Sequence, residues 1–309
     1  MKLLKYLSPL FIVSTLCIPL HSCAQDQHKE VITDTLPERD TLIYSSIFNP
    51  EYYSQFHNTW IEVGKGLSYI EMDAPKKSNV NDSKISILKI NPALVEFEML
   101  SATQFDSSSL CVVDWAEKKN LNVVINASMY DLRNQLSSKG ILQNSKEHAN
   151  NPNFYEGYNA VICFNPLHSG LPAFDIVDLK CQNMSYVKQN YASFAQGLRM
   201  LDCEGNPMSW NKNPQSCSQL VVAKDDNQNV YFIFSRSPYT HNQMIHFMKG
   251  FDLNLKNAIY MEGGPQTSLF IDSDIYRIEK LGSYVSRTYP TDKNSEFWKL
   301  PNVIGIRIK

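Results

Sequence analysis

The sequence lacks the short motifs that mark several enzyme classes. It contains no GxSxG segment of a serine hydrolase, no HExxH segment of a zinc peptidase and no GxxxxGK[ST] phosphate loop. It also has no CxxC pair for zinc and no cysteine–histidine signature of a thiol enzyme. These absences argue against the corresponding classes, and no motif calls for a metal or another cofactor.

An excess of positive charge is also missing. The chain has 29 lysines and arginines against 31 aspartates and glutamates. Because no basic run or patch stands out, we expect neither nucleic-acid binding nor a polybasic contact with membranes. No internal repeat or low-complexity tract is present either, and the chain is long enough for one large domain or two fused lobes. We expect the protein to be a monomer.

The one long apolar run lies at the N-terminus. Lys2 and Lys5 precede the run Leu7–Leu20, which is typical of a secretory signal and short for a membrane span. The following letters LHSCA resemble a bacterial lipobox with Cys23 as the lipidated residue. Ordinary signal-peptidase cleavage is the alternative. The sequence thus predicts an exported cell-envelope lipoprotein, attached to a membrane through a lipid anchor only.

Composition divides the rest of the chain into two parts. After the predicted signal peptide with its lipobox (1–23), residues 24–56 are polar and irregular, which predicts a flexible tether. Residues 57–309 have the composition of a folded domain. Their patterns predict an α+β fold with mixed, largely antiparallel β-sheets and a few short helices.

Five elements of this domain are marked clearly. The continuous apolar segment LNVVIN predicts a central strand that is covered on both faces, and KDDNQNVYF predicts a hairpin. One helix is predicted from about Ser108 to Lys119. A second is predicted to begin after Thr240, with Gln243 completing a capping box, and to end at Gly250.

The cysteines after Cys23 are five in number, so at least one has no partner within the domain. Export permits disulfides. Cys203 and Cys217 flank a loop-like segment and are predicted to pair. Cys111 falls in the first predicted helix and is interpreted as a small buried apolar residue.

The segment AIYMEGGPQTSLFID combines a strand pattern, a carboxylate and two glycines. The strand pattern Ala258–Met261 runs into Glu262, and a second strand pattern follows at Thr267–Ile271. Gly263 and Gly264 could form a tight hairpin turn that leaves Glu262 in solvent. Alternatively, their N–H groups could form an anion-binding concavity beside Glu262 at the floor of an active site.

Three other segments join strand ends to polar residues. They are VINASMYD with Asn126, FAQGLRMLD with Gln196 and Arg199, and FSRSPYTHNQ with Arg236. Together with the step Gly140-Ile141-Leu142 and with MEGGPQT, and in chain order over roughly residues 60–308, they resemble the phosphodiester glycosidase family. Ser128 stands where the family has glycine, and Glu262 stands where aspartate is common.

The resemblance implies an enzyme that hydrolyses a sugar-1-phosphodiester at the anomeric carbon, acting on a phosphodiester-linked glycan without a cofactor. Glu262 would be the nucleophile or the base for water, and Arg199, also catalytic, would bind the phosphate. The implied substrate-binding residues are Asn126, Tyr130, Arg236, Gly263, Gly264 and Thr267.

Structural roles remain open for several of these residues. Arg199 and Arg236 could be ion-pair partners, Asn126 a turn-former, and Tyr130 part of the core. Two other functions also remain open. One is a lipoprotein that binds glycans or envelope polymers without turnover, and the other is an envelope protein with a vestigial site.

Overall fold

The computed structural model describes residues 49–210 and 215–309. The predicted signal peptide with Cys23, and the tether up to residue 48, lie outside these residues. Within the described ranges, no helix combines the length and the apolar character that crossing a lipid bilayer requires.

Helices and strands are numbered in chain order. The described α-helices are α1 Pro50–Ser54, α2 Val112–Lys119, α3 Met184–Asn190 and α4 His241–Gly250. The described strands are β1 Ile61–Gly64, β2 Leu67–Asp73, β3 Lys84–Ile90, β4 Val95–Ser101, β5 Val123–Asn126, β6 Tyr130–Asp131, β7 Asn134–Ser138, β8 Leu142–Gln143, β9 Ala149–Asn151, β10 Ala160–Pro166, β11 Phe174–Asp178, β12 Tyr191–Leu201, β13 Ser216–Asp225, β14 Val230–Thr240, β15 Leu255–Gly263, β16 Ser268–Asp272, β17 Arg277–Leu281 and β18 Asn302–Ile308.

The strands form two sheets and one separate hairpin. The large sheet has the order β1-β2-β3-β14-β13-β15-β12-β10-β11, and β8 and β9 branch from β12. The small sheet has the order β17-β16-β5-β18-β4, and β6 pairs only with β7. Neighbouring strands are antiparallel in both sheets. The predicted α+β class with largely antiparallel sheets is therefore confirmed.

The two sheets pack face to face over a shared apolar core. Ile125 and Ile304 of the small sheet belong to the same buried cluster as Leu88 and Ile259 of the large sheet. The outer face of the small sheet is covered by α2 through Trp115. The apolar face of α4 covers the large sheet. Burial of each such aliphatic side chain stabilises the fold by about 1.5–3 kcal/mol.

Most of the clearly marked elements form as predicted. β5 is fully buried at the centre of the small sheet, and β13 and β14 form the predicted hairpin. The Thr240–Gln243 capping box is present at the start of α4. Helix α2 ends where predicted, because Asn120 adopts a left-handed conformation with φ 52°. However, α2 begins at Val112, four residues later than the predicted Ser108.

The folded domain begins before the predicted boundary at residue 57. The last residues assigned to the tether form α1, whose N-cap is Asn49. Tyr53 and Phe56 are buried in the core between the sheets, and the Tyr53 hydroxyl donates to the Glu279 carbonyl at 3.1 Å. Because the sequence around these two aromatic residues is polar, they were assigned to the tether rather than to the core.

The predicted Cys203–Cys217 disulfide is wrong. Cys203 pairs with Cys181, 22 residues earlier, and their Cα atoms lie 6.6 Å apart. The pairing follows from Asp178, whose carbonyl accepts from the Cys181 amide and whose carboxylate accepts from the Cys203 amide. Cys217 instead faces the interior and lies 3.8 Å from the Tyr260 hydroxyl. Cys111 is buried as predicted, but it is also disulfide-bonded.

We expect the inter-sheet core to dominate stability. Replacement of Ile304 by alanine should lower the free energy of unfolding by about 2–5 kcal/mol, because it leaves a cavity between the sheets. The matched control, Ile275→Ala, removes a side chain that is 60% exposed and should change this energy by less than about 0.5 kcal/mol. Urea unfolding measures both values, and equal effects would contradict the described packing.

Peptide mapping without reduction tests the cysteine assignment. The peptide that contains Cys181 should be recovered linked to the peptide that contains Cys203. Because Cys163 and Cys217 are free and buried, a maleimide should label them only after unfolding. Recovery of a Cys203–Cys217 peptide would contradict the assignment.

Candidate active site

The Glu262–Thr267 segment connects the two sheets. β15 pairs with β12 and β13 in the large sheet, whereas β16 pairs with β5 and β17 in the small sheet. A short 3-10 turn, Gly264–Gln266, lies between the two strands. The hairpin interpretation is therefore wrong, because β15 and β16 belong to different sheets. We call Glu262–Thr267 the crossing segment.

Two positions of the crossing segment have no room for a side chain. A Cβ atom on Gly263 would lie 2.8 Å from the Cys217 sulfur and would overlap the Tyr260 hydroxyl. Gly264 has φ 78°, and a Cβ atom there would overlap the Val285 side chain. Close packing thus requires glycine at both positions, and the conformation of Gly264 adds a second reason. The Gly263 amide also donates to the Glu262 carboxylate at 2.9 Å, which holds that side chain in place.

Arg236 binds a second stretch of backbone, within residues 281–294, near the crossing segment. Its guanidinium donates to the carbonyls of Leu281, at 3.0 Å, and Asn294, at 2.8 Å, and it forms an ion pair with Asp292. Burial lowers the pKa of Arg236, while the neighbouring Asp292 opposes that shift. These bonds show a structural ion-pair role, which was the alternative interpretation of this arginine.

Asn126 and Thr267 are also buried within this frame. The Asn126 side-chain oxygen accepts from the Ser268 amide at 2.9 Å, which ties the end of β5 to the start of β16. The Thr267 hydroxyl lies 3.4 Å from the carbonyls of Ser218 and Glu262. Neither side chain is exposed to solvent, so both position the crossing segment.

Ser128 retains the backbone conformation that a glycine would provide. Its φ is 62°, in the left-handed region, where residues other than glycine are uncommon. The hydroxyl bonds to the Ser138 hydroxyl and donates to the Met129 carbonyl at 3.2 Å. The side chain is buried, so the serine departs from the family pattern without projecting into solvent.

The Glu262 carboxylate lies in a protein environment that favours its protonated form. The residue keeps partial exposure to solvent, yet surrounding protein raises the pKa of Glu262 to about 7. The backbone amides of Gly263, at 2.9 Å, and of Tyr130 oppose this shift. No described arginine or lysine contributes to it. Glu262 can therefore exchange a proton near neutral pH, as a general acid or base must.

Neutral side chains surround this carboxylate. Tyr130, Tyr158, Cys217 and Tyr260 all have a raised pKa, first because of burial and further because of the negative charge on Glu262. For Cys217 the value is about 12, so its thiol stays protonated at neutral pH. The Tyr130 hydroxyl is buried without a hydrogen-bond partner among the described residues.

An aromatic cluster extends this region toward α4. The His241 ring stacks on Trp210 at 4.3 Å and meets Tyr260 edge-on at 4.5 Å. Two hydrogen bonds between Trp210 and Asn242, at 2.8 Å each, fix the tryptophan to the helix. Burial lowers the pKa of His241 to about 4, so the imidazole is neutral at pH 7.

Arg199 is not brought to Glu262. It pairs with Ile259, three residues before Glu262 along β15, which corresponds to about 10 Å of strand. Its guanidinium forms a largely buried ion pair with Asp178. This is the ion-pair alternative for Arg199. Asp178 also lies beside Cys181 and Cys203, but the disulfide leaves no thiolate there to bind a metal.

Gln196 organises a loop that the sequence did not mark as part of the site. Its side-chain oxygen accepts from the amides of Ile141 and Tyr155, both at 3.0 Å. Its nitrogen lies 3.2 Å from the carbonyls of Tyr155 and Tyr158. The available signal was a glutamine within the apolar strand pattern YASFAQGL, because a buried amide needs several partners.

A separate cavity of about 460 Å³ opens beside α1 and does not include Glu262. Lys280 and Glu71 form a buried ion pair in it, and Lys84 pairs with Asp73 at its rim. Because the cations of this cavity are matched by carboxylates, it has little free charge with which to recognise a phosphate.

Comparison with known proteins identifies the family. A sequence model of the phosphodiester glycosidases (NAGPA) matches residues 119–307. This match spans more than half of the chain, so the protein belongs to that family. No curated protein matches significantly.

Two solved structures share the fold. One is the catalytic domain of zebrafish N-acetylglucosamine-1-phosphodiester α-N-acetylglucosaminidase, auto-inhibited by its pro-peptide. It has a TM-score of 0.55 and 12% identity, with 81% of this chain and 86% of that chain covered. The other is a hypothetical protein from Synechocystis. It has a TM-score of 0.54 and 12% identity, with 81% of this chain and 64% of that chain covered.

The raised pKa of Glu262 predicts a pH-dependent effect on stability. At pH 4 both the folded and the unfolded state hold the proton, whereas above pH 7 folding must accommodate a buried charge that is solvated when unfolded. Glu262→Gln should therefore stabilise the protein at pH 8 relative to pH 4. We expect on the order of 2 kcal/mol, a value reduced for the partial exposure of Glu262.

Urea unfolding of wild type and variant at both pH values measures this effect. The exposed Glu156, changed to glutamine, serves as the matched control and should show no such dependence. A Glu262→Gln effect that is equal at pH 4 and pH 8 would contradict a raised pKa.

Proposed function

We propose that the protein is an exported phosphodiester glycosidase that hydrolyses a sugar-1-phosphodiester at the anomeric carbon. The observation that carries the proposal is Glu262, a carboxylate with a pKa of about 7 that two backbone amides hold at the crossing segment. Family membership supports the reaction class, and the signal-like sequence of residues 1–23 with Cys23 supports export and lipid anchoring.

The proposed chemistry needs only one titrating carboxylate. Ordinary glycosidases use a second carboxyl group to protonate an alkoxide leaving group. Here the leaving group is a phosphate monoester, whose second pKa is about 6, so it departs with little protonation. This matches Glu262, whose raised pKa has burial as its cause and receives no contribution from another carboxylate.

Glu262 acts as the base for water in this scheme. It takes a proton from a water molecule while the water oxygen forms a bond to the anomeric carbon. The bond between that carbon and the phosphate oxygen breaks, and its electron pair leaves with the phosphate monoester. The products are a free sugar and a phosphomonoester. A base with a pKa near 7 combines a useful ionised fraction with adequate basicity at neutral pH.

The experiment is release of free sugar and phosphomonoester from a panel of sugar-1-phosphodiesters. We expect kcat/KM to rise with pH through about 7, because the base must lose its proton. Glu262→Gln should lower kcat about 10²–10⁴-fold, the usual contribution of a general base. The control variant Glu117→Gln, at an exposed position of α2, should retain wild-type activity.

Two other outcomes would contradict the proposal. Saturable binding without turnover by wild type would favour a glycan-binding lipoprotein. Neither binding nor turnover across the panel would leave the crossing segment with a structural role only.

A further inference from the structure

Arg199 and Arg236 are both paired with carboxylates of the protein, so a substrate phosphate would need another cation. Lys139 is a cation near the candidate site. Its amide donates to the Met129 carbonyl at 2.7 Å, and Met129 precedes Tyr130, whose own amide faces Glu262. Lys139 takes part in none of the ion pairs found among the described residues. Its charge contributes weakly to the lowered pKa of Asp131, whose direct partner is Arg133. The ammonium is therefore available for an anion.

One exposed aromatic ring lies next to this lysine, and a second exposed aromatic residue precedes it in the chain. The Lys139 ammonium is 5.1 Å from the centre of the Tyr155 ring. Tyr155 is 39% exposed, and its neighbour Phe154 is 48% exposed. The Tyr155 ring also contacts Tyr158 edge-on at 4.8 Å. Burial raises the pKa of Tyr158, and the negative charge of Glu262 raises it further. The Tyr155 ring thus contacts both Lys139 and Tyr158, and the exposed Phe154 precedes it in the chain.

This arrangement is held rigidly. The four Gln196 contacts fix the backbone at Ile141, Tyr155 and Tyr158. Gly140 packs closely against Tyr158, because a Cβ atom on Gly140 would lie 2.8 Å from that ring. Clustered exposed apolar side chains can mark a ligand-binding surface. Here the surface combines them with one unmatched positive charge.

We propose that Lys139 binds the phosphate of the substrate and that Tyr155 and Phe154 contact an apolar alcohol esterified to it. The substrate class is an amphiphilic sugar-1-phosphodiester, with the sugar toward Glu262 and a hydrocarbon chain toward Phe154. The phosphate complements the positive charge of Lys139, and the chain complements the two aromatic side chains. This inference rests on the proposed function. The released product is then an alkyl phosphate monoester.

The first test compares substrates that differ only in the alcohol. Methyl, butyl, hexyl and octyl esters of one sugar-1-phosphate are assayed below their micelle-forming concentrations. We expect kcat/KM of the wild type to rise about tenfold or more from methyl to octyl, because each added methylene can bury apolar area. The double variant Phe154→Ser/Tyr155→Ser should remove most of this rise, so that its kcat/KM values for the methyl and octyl esters become similar.

A second aromatic–lysine pair supplies the matched control. Lys119 lies 3.3 Å above the Phe105 ring, Phe105 is 46% exposed, and neither residue takes part in the contacts around Glu262. Phe105→Ser should preserve the dependence on chain length. A flat wild-type profile, or equal effects of the two sets of substitutions, would overturn the inference.

The role of Lys139 has its own readout. Lys139→Met should raise KM for every phosphodiester about 10-fold or more and reduce the salt dependence of kcat/KM, while Lys139→Arg should retain most binding. Lys119→Met is the control. Calorimetry of the Glu262→Gln variant with octyl phosphate should show binding that Lys139→Met weakens. Unchanged binding after loss of the lysine would overturn its assignment.

These results separate the two proposals. Turnover that is independent of chain length and of Lys139 refutes the amphiphilic substrate but leaves the glycosidase intact. Absence of turnover in the wild type refutes the glycosidase itself, and octyl phosphate binding then still reports on the surface formed by Lys139, Tyr155 and Phe154.

Discussion

The close passage of the chain from one sheet to the other is the constraint on which the site depends. Gly263 and Gly264 admit no side chain, since Cys217, Tyr260 and Val285 occupy the space around them. The Gly263 amide in turn faces the Glu262 carboxylate. The same close packing therefore joins two β-sheets and positions Glu262, whose pKa is raised to about 7. Asn126, Thr267 and Arg236 strengthen this junction through hydrogen bonds to the backbone.

Local patterns in the sequence predicted the elements but not how distant segments meet. The capping box at Thr240, the buried strand β5 and the fold class follow from residue periodicity and turn chemistry. These patterns do not show which sheet the chain enters after Gly264, because a glycine-rich link between strands can close a hairpin or join two sheets. The Cys181–Cys203 pair likewise depends on a long-range contact, since Asp178 at the end of β11 accepts from the Cys203 amide just after β12.

The arginines illustrate a related limit. An arginine near a strand end is equally suited to a substrate phosphate and to a carboxylate of the protein. Sequence alone does not show that Asp178 reaches Arg199, or that the Leu281 and Asn294 carbonyls surround Arg236. The sequence pointed to Glu262 because the carboxylate and the two glycines are adjacent in the chain, and its catalytic role stays a prediction. Gln196 stands in one of the segments that the sequence marked, but its contacts with Ile141, Tyr155 and Tyr158 were not predicted because these partners lie about 40–55 residues away in the chain.

The Gln196 side chain holds the loop through its backbone, so the shape of the loop does not depend on which side chains are exposed on it. The glutamine holds main-chain groups of Tyr155 and Tyr158, so the backbone path depends little on which side chains project from it. Phe154 and the ring of Tyr155 could then be exchanged during evolution at a small cost in folding energy. A family built on this frame can diversify the molecules it recognises while the buried junction beneath stays unchanged.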